Sequence, residues 1–253
     1  MSLDLNGKPE SISLLGVRVH SVTMDETIAL IDRFVQARGP HHIVTLDASM
    51  CVMTQNDAEL RSIVNAAELV TPDSTGVLWA CRRMGNPLNE RVSGVEIIER
   101  LCAASSKNQQ SLFFFGAAPG VAASAAEKMR EKYSGVRIVG YRDGYFTPDD
   151  EVDIAKEIRD AQPDILCVAL GIPKQEKWIS RHRGDLGVPV MIGVGGTLDV
   201  LSGQVKRAPV LIQKMNLEWL YRLAKNPRKF GKVLTLPRFV LMALRSPRKS
   251  IPK

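Results

Sequence analysis

Four stretches of this 253-residue chain combine residue types and spacings that could do chemistry. In TPDSTG, residues 71–76, Asp73 ends a short apolar run and is followed by small polar residues and Gly76. An aspartate at the carboxyl end of a strand, facing a crevice, can take a proton as a general base. It can also cap the helix that TGVLWACRRMG would form, with a first turn at 74–77, and spacing alone favours the cap. FFFGAAPG, residues 113–120, reads as a strand, a glycine turn and a helix starting near Val121. That is a phosphate or nucleotide cradle, or else a plain tight connection. In LGIPKQEKWI, residues 170–179, Pro173 would open a helix and Lys174 and Gln175 would project from its N-terminus. An anion is favoured there, and the alternative is a polar surface turn. In GVGGTLDVLSGQVKRAP, residues 193–209, Gly195 and Gly196 allow close backbone approach to a ligand, Asp199 follows one helical turn later, and Lys206 and Arg207 open a basic region.

Other chemistries lack their residues. The histidines (His20, His41, His42, His182) form no ligand spacing, and Asp149 and Asp150 of TPDDE read as helix-start caps. No metal and no cofactor is expected. No nucleophile elbow or Cys/His constellation speaks for covalent catalysis.

These stretches must be positioned by strands and helices. Apolar or β-branched runs recur near 42–48, 68–73, 111–117, 136–141, 164–171 and 189–196. Between them lie segments with apolar spacing near three to four: Met24–Ala37, capped by Thr23 with Glu26 three residues on, part of Ala48–Ala66, Gly94–Ser105, Gly120–Tyr133, Asp149–Ala161 and Gln175–Leu186. Several strands are apolar throughout, the pattern of a parallel sheet covered by helices on both faces. The expected fold is therefore α/β, with a Rossmann-like, mostly parallel sheet whose strand-end loops line the ligand crevice.

Charge divides the chain. Residues 203–253 carry thirteen Lys/Arg and one acid, Glu218, whereas 1–202 carry 21 Lys/Arg against 26 Asp/Glu. We expect an α/β body over 1–202 and a basic helical appendage over 203–253, including an amphipathic helix at Ala208–Lys225 with Trp219 and Tyr221. Such tails meet phosphates in nucleic acid, anionic lipid or a diphosphate ligand. Beyond it, Phe230, Leu234, Phe239 and Leu241 alternate with Lys232, Arg238 and Arg245, which suits adsorption to an anionic membrane surface; packing against the body or a partner subunit is the alternative. No apolar stretch is long enough to span a bilayer and the N-terminus is too polar for a secretory signal, so a cytoplasmic location is expected. The scattered cysteines read as buried thiols of a reducing compartment.

Taken in order, TPDSTGVLWACRRMGNPLNERVSG, FFFGAAPG, GYRDGYF, ALGIPKQEKWI, GVGGTLDVLSGQVKRAP and LEWLYRLAKNPRKF resemble the WecG/TagA/CpsF glycosyltransferases over about residues 14–232. The resemblance implies a core of the GT-E type and metal-independent, inverting transfer from a UDP-sugar. The implied acceptor is a sugar on undecaprenyl diphosphate at the inner face of the bacterial plasma membrane, in cell-surface polysaccharide synthesis. Asp73 matches the family's proposed base, Thr45 a threonine near the reacting groups, Arg91 a pocket arginine and Gln175 a pocket glutamine. Tyr145 and Asp199 match positions near the nucleotide base, and Arg222 and Arg228, with Lys229 beside it, match appendage cations that close over the diphosphates. Two positions depart from the pattern: Asp47 stands where the family commonly has Asn, and Ser74 follows Asp73 where Gly is commoner. Both changes fall near the expected sugar sites. Two other classes remain to be separated. A Rossmann oxidoreductase would need a glycine fingerprint where TLDAS stands, and a nucleic-acid-binding module would need a binding motif. No nucleic-acid partner is expected, and homo-oligomerisation is left open.

Overall fold

A computed structural model describes residues 9–205 and 235–247. The expected Ala208–Lys225 helix, and Lys206, Arg207, Arg222, Arg228 and Lys229, lie outside the described residues.

The chain opens with an antiparallel hairpin, β1 (Ser11–Leu14) and β2 (Val17–His20). Leu15 and Gly16, at φ 52° and 84°, make the turn between them, since two successive positive φ values suit the twist of a tight hairpin. The main sheet has six strands: β3 (His41–Leu46), β4 (Leu69–Pro72), β5 (Ser111–Gly116), β6 (Arg137–Arg142), β7 (Ile165–Ala169) and β8 (Val190–Gly193). Their order is β4-β3-β8-β7-β5-β6, and all pairs are parallel. β3, β4, β5, β7 and β8 are buried almost throughout, as their unbroken apolar runs require. Along β5, Leu112 and Phe114 face one core and Phe113 and Phe115 the other.

The first face carries α1 (Met24–Ala37), α5 (Gly94–Asn108), α6 (Val121–Lys132) and α9 (Thr197–Leu201). The second carries α7 (Glu151–Ala161) and α8 (Lys174–His182) over one half of the sheet. Over its other half lie α2 (Ala48–Met53), α3 (Ala58–Ala66), α4 (Thr75–Arg83), the hairpin and α10 (Thr235–Arg245). α1 has the expected ends: Thr23 and Glu26 form a reciprocal capping box. Asp150 accepts from the Thr147 N–H at 2.7 Å, the capping role expected of TPDDE.

The structure adds to the sequence reading in three places. The stretch 48–66 is two helices, because Asp57 caps a fresh start by accepting from the Leu60 N–H. The hairpin and the short α9 went unread in the sequence. Packing against the body, one of the alternatives left open for the basic end of the chain, holds for one side of α10: Phe239 and Ala243 are buried in the core of α2 and α4.

The hairpin closes one edge of the sheet. The His20 Nδ1 accepts from the Val70 N–H of edge strand β4 at 2.9 Å, and Arg18 donates to the Ala67 carbonyl at 2.6 Å. At the sheet's centre β3 and β8 are neighbours, yet α2 follows β3 onto one face and α9 follows β8 onto the other. Connections that part to opposite faces open a crevice at the carboxyl ends of the strands.

Candidate active site

That crevice collects most of the singled-out residues that the structure describes. Asp73 stands just past β4. Its N–H donates to the Leu46 carbonyl at 2.9 Å, and the Val92 N–H donates to the Pro72 carbonyl at 2.9 Å, so the strand end is held from both sides. Asp73 Oδ1 accepts from the Gly94 N–H, the first amide of α5, at 3.3 Å. The positive end of a fifteen-residue helix thus holds the carboxylate, which remains half-buried.

The helix-cap expectation for Asp73 is therefore overturned. Ser74 caps α4, accepting from the Val77 N–H at 3.3 Å, and frees Asp73 from that role. A glycine at this position could not supply a side-chain cap. Asp47 caps α2: its Oδ1 accepts from the Met50 N–H and from the Ser49 hydroxyl, both at 2.7 Å. Both departures from the family pattern are thus helix caps in the crevice wall.

Thr45, at the end of β3, bonds across to β8, its Oγ1 donating to the Gly193 carbonyl at 2.8 Å. A Cβ on Gly94 would lie 3.3 Å from Thr197 Oγ1 and 3.5 Å from Thr45 Cγ2, so glycine lets the start of α5 descend onto these two threonines. Arg91 is half-buried three residues before Gly94 and pairs with Glu96 of the first turn of α5 at 3.3 Å.

Gln175 departs from expectation. It does not project from the N-terminus of α8 but is 1% exposed beneath the crevice floor. Its Oε1 accepts from the Gly171 N–H at 3.1 Å and the Gly195 N–H at 2.9 Å, and its Nε2 donates to Glu176 Oε1 at 2.7 Å. One amide therefore ties the loop after β7 to the loop after β8. Gly193 must be glycine for this to fit, because a Cβ there would lie 2.7 Å from Gln175 Nε2 and 2.9 Å from Glu176 Oε1. Glu176, fully buried, was not singled out from the sequence. The adjacent glutamine and glutamate in PKQE were the available signal.

Asp199 lies close to the glycine turn, its Oδ2 3.5 Å from where a Cβ on Gly196 would be. Tyr145 is 73% exposed in the loop after β6. That loop is fastened to the FFFGAAPG turn, the Gly144 N–H donating to the Ala117 carbonyl at 2.9 Å. β6 is three strands from β8, about 14 Å at ordinary strand spacing, so Tyr145 flanks the crevice and does not share its centre.

Elsewhere, all four cysteines are buried and unpaired. Burial pushes the Cys81 and Cys102 thiols up to about 12. Burial, followed by the Asp47 charge, raises Cys51 well above the usual thiol range. No group of three or more His, Cys, Asp or Glu among the described residues could hold a metal ion. Nor, among them, is any helix long and apolar enough to cross a membrane.

Comparison with known proteins gives the chain its family. Residues 12–252 match the Glycosyl transferase WecG/TagA/CpsF family. A relative from Bacillus spizizenii, named N-acetylglucosaminyldiphosphoundecaprenol N-acetyl-beta-D-mannosaminyltransferase, is 34% identical over 208 residues, covering 82% of this chain and 80% of the relative. Proteins of the same name from Bacillus subtilis and Staphylococcus aureus are 34% identical over 203 residues (80% of this chain, 78% of the relative) and 29% identical over 252 residues (98% of each chain). This chain belongs to the WecG/TagA/CpsF family of glycosyltransferases.

Proposed function

We propose that this glycosyltransferase moves a hexose or N-acetylhexosamine from a UDP-sugar onto a sugar carried by undecaprenyl diphosphate, with inversion and without a metal ion, in cell-surface polysaccharide synthesis. The observation that carries this reading is Asp73: a half-buried carboxylate at the crevice, released from capping by Ser74 and held by the Gly94 amide. The acceptor hydroxyl oxygen attacks the anomeric carbon while its proton passes to Asp73. The bond from that carbon to the diphosphate breaks, and UDP leaves with the electron pair. Thr45 and the glycine turn at 195–196 border the reacting groups. Arg91 and the appendage cations Arg222 and Arg228 balance the charge that develops on the diphosphate.

Within this scheme Gln175 shapes the floor through the two loops it joins, and Asp199 and Tyr145 receive the nucleotide end of the donor. Residues 203–253 act as an appendage to the body, bringing the enzyme to the anionic inner face of the plasma membrane, where the lipid-linked acceptor resides. The names of the relatives favour N-acetylglucosamine on the acceptor and N-acetylmannosamine as the sugar moved.

The test is transfer to a diphosphoundecaprenol-linked sugar from a panel of UDP-sugars, with and without a chelator, reading the anomeric configuration of the product. Asp73→Asn is expected to fold and to lose about 10²–10⁴-fold in transfer, the usual worth of general-base help. Near-normal rates in that variant would remove Asp73 from the role.

A further inference from the structure

α4 begins directly after the crevice carboxylate, and one of its side chains is out of place for a helix covering a sheet. Trp79 is 41% exposed, while Val77, Ala80 and Cys81 of the same helix are buried. α10 lies alongside α4. A Cβ on Gly76 would sit 3.6 Å from the Phe239 ring, and the Arg83 guanidinium donates to the Leu244 carbonyl at 3.3 Å. The contacts run in the same order along both helices, Gly76 with Phe239 and then Arg83 with Leu244, so the two helices run in the same direction side by side. Trp79 is one turn before Arg83 and so lies on the flank of α4 that adjoins α10. On α10, Leu241 and Leu244 are 47% and 49% exposed although the opposite side of the helix, Phe239 and Ala243, is buried. Arg238 and Arg245 flank these leucines, and Arg82 is exposed on α4. Neither helix contains a single Asp or Glu.

We propose that α4 and α10 form one lipid-docking face on the enzyme, in which Trp79 and Arg82 of the α/β body insert beside Leu241, Leu244, Arg238 and Arg245 of the appendage. Exposed apolar side chains beside exposed arginines, on two helices without an acid, complement an anionic bilayer surface. The same charges disfavour the other occupants. A second copy of this face would bring its arginines against these, and residues 206–234 of the chain carry eight Lys/Arg against one acid, Glu218. Trp79 lies about 6 Å of helix rise from Thr75, so a bilayer seated on this face comes within reach of an acceptor sugar at Asp73.

The inference rests on the lipid-linked acceptor proposed above, and the experiment separates the two. The full chain is floated with vesicles of phosphatidylcholine alone and of phosphatidylcholine with phosphatidylglycerol. Each protein is also assayed for transfer to a short-chain, water-soluble diphosphate-sugar acceptor. Binding is expected only with phosphatidylglycerol present. Trp79→Ala should weaken it about tenfold and Arg82→Gln about fivefold, with transfer to the soluble acceptor unchanged. Leu241→Ser with Leu244→Ser should act as Trp79→Ala does. Vesicle binding unaltered by Trp79→Ala, or equal on neutral and anionic vesicles, overturns this face. Loss of a dimer in Trp79→Ala with binding intact assigns the face to a second copy and also overturns it. Failure of the wild type to transfer to any acceptor would instead count against the glycosyl-transfer reading of the substrates.

Discussion

The amide of Gln175 carries a sharp test of how the crevice is held. Gln175→Ala removes the acceptor of two backbone N–H groups, Gly171 and Gly195, and the donor to Glu176. Gly171 and Gly195 are half-buried, so water can take up part of the lost bonding, and the loss is about 1–3 kcal/mol in all against a total stability of about 5–15 kcal/mol. The variant should fold, with a lower urea midpoint and with the two loops no longer tied. Transfer should fall by about 10²-fold, the scale of loss when reacting groups are misplaced by about 1 Å. Gln175→Glu is the finer probe, because it keeps the shape and the acceptor oxygen but sets a second carboxyl beside Glu176. Two such groups share one proton, so the folded state holds that proton at a pH where the unfolded chain has released it. The added stability is present below the unfolded carboxyl value of about 4.3 and is lost as pH rises through the raised folded value. Urea unfolding at about pH 5 and about pH 8 should thus show a wild-type-like Gln175→Glu protein at the acid end and a weakened one at the alkaline end. Gly193→Ala, which drives a methyl into the same amide, should resemble Gln175→Ala. If Gln175→Ala keeps the wild-type midpoint and changes only the donor KM, the side chain contacts substrate and is not a tie, and the reasoning fails.

Other outcomes follow from separate parts of the molecule. Burial, then the positive charge of Arg183, lowers the His42 imidazole from 6.5 to about 4, although Glu68 opposes the shift. The folded state therefore keeps His42 neutral while the unfolded chain protonates it. Stability on the order of 3 kcal/mol should be lost as pH falls from about 6.5 to about 4, and His42→Gln should flatten that slope in pH-dependent unfolding. Ser74→Ala removes the α4 cap and should cost about 1 kcal/mol in thermal unfolding, whereas Ser74→Gly should cost only a few tenths. The buried thiols should ignore a disulfide reagent in the native protein and react as four in denaturant.

What could be read from the sequence was what local pattern decides. The six apolar runs became the six parallel strands, and the Thr23–Glu26 box marked the start of α1 because all its partners lie within four residues. The α/β class and the crevice at the strand ends followed from that. What depended on distant partners did not show. Whether Asp73 or Ser74 caps α4 turned on Gly94, twenty-one residues away, which engages Asp73. PKQE reads as a helix start with Gln175 projecting or as a polar turn, and only the Gly195 amide brought in from β8 makes Gln175 an interior residue. The hairpin was hidden because its strands have four residues each and its turn is Leu-Gly, not one of the common turn pairs.

The bond from His20 to Val70 reaches beyond the fold it seals. β4 is an outermost strand of a parallel sheet, and an unpaired outer strand is a template for the strand of another molecule. By filling one of its open amides with an imidazole, the hairpin bars that growth. A chain cut before α1 would offer β4 to its neighbours and also strip Leu14, Val17 and Val19 from the core over β3 and β4, so it should precipitate on concentration. The yield of a version shortened at this end is then governed by a hairpin that takes no part in the chemistry.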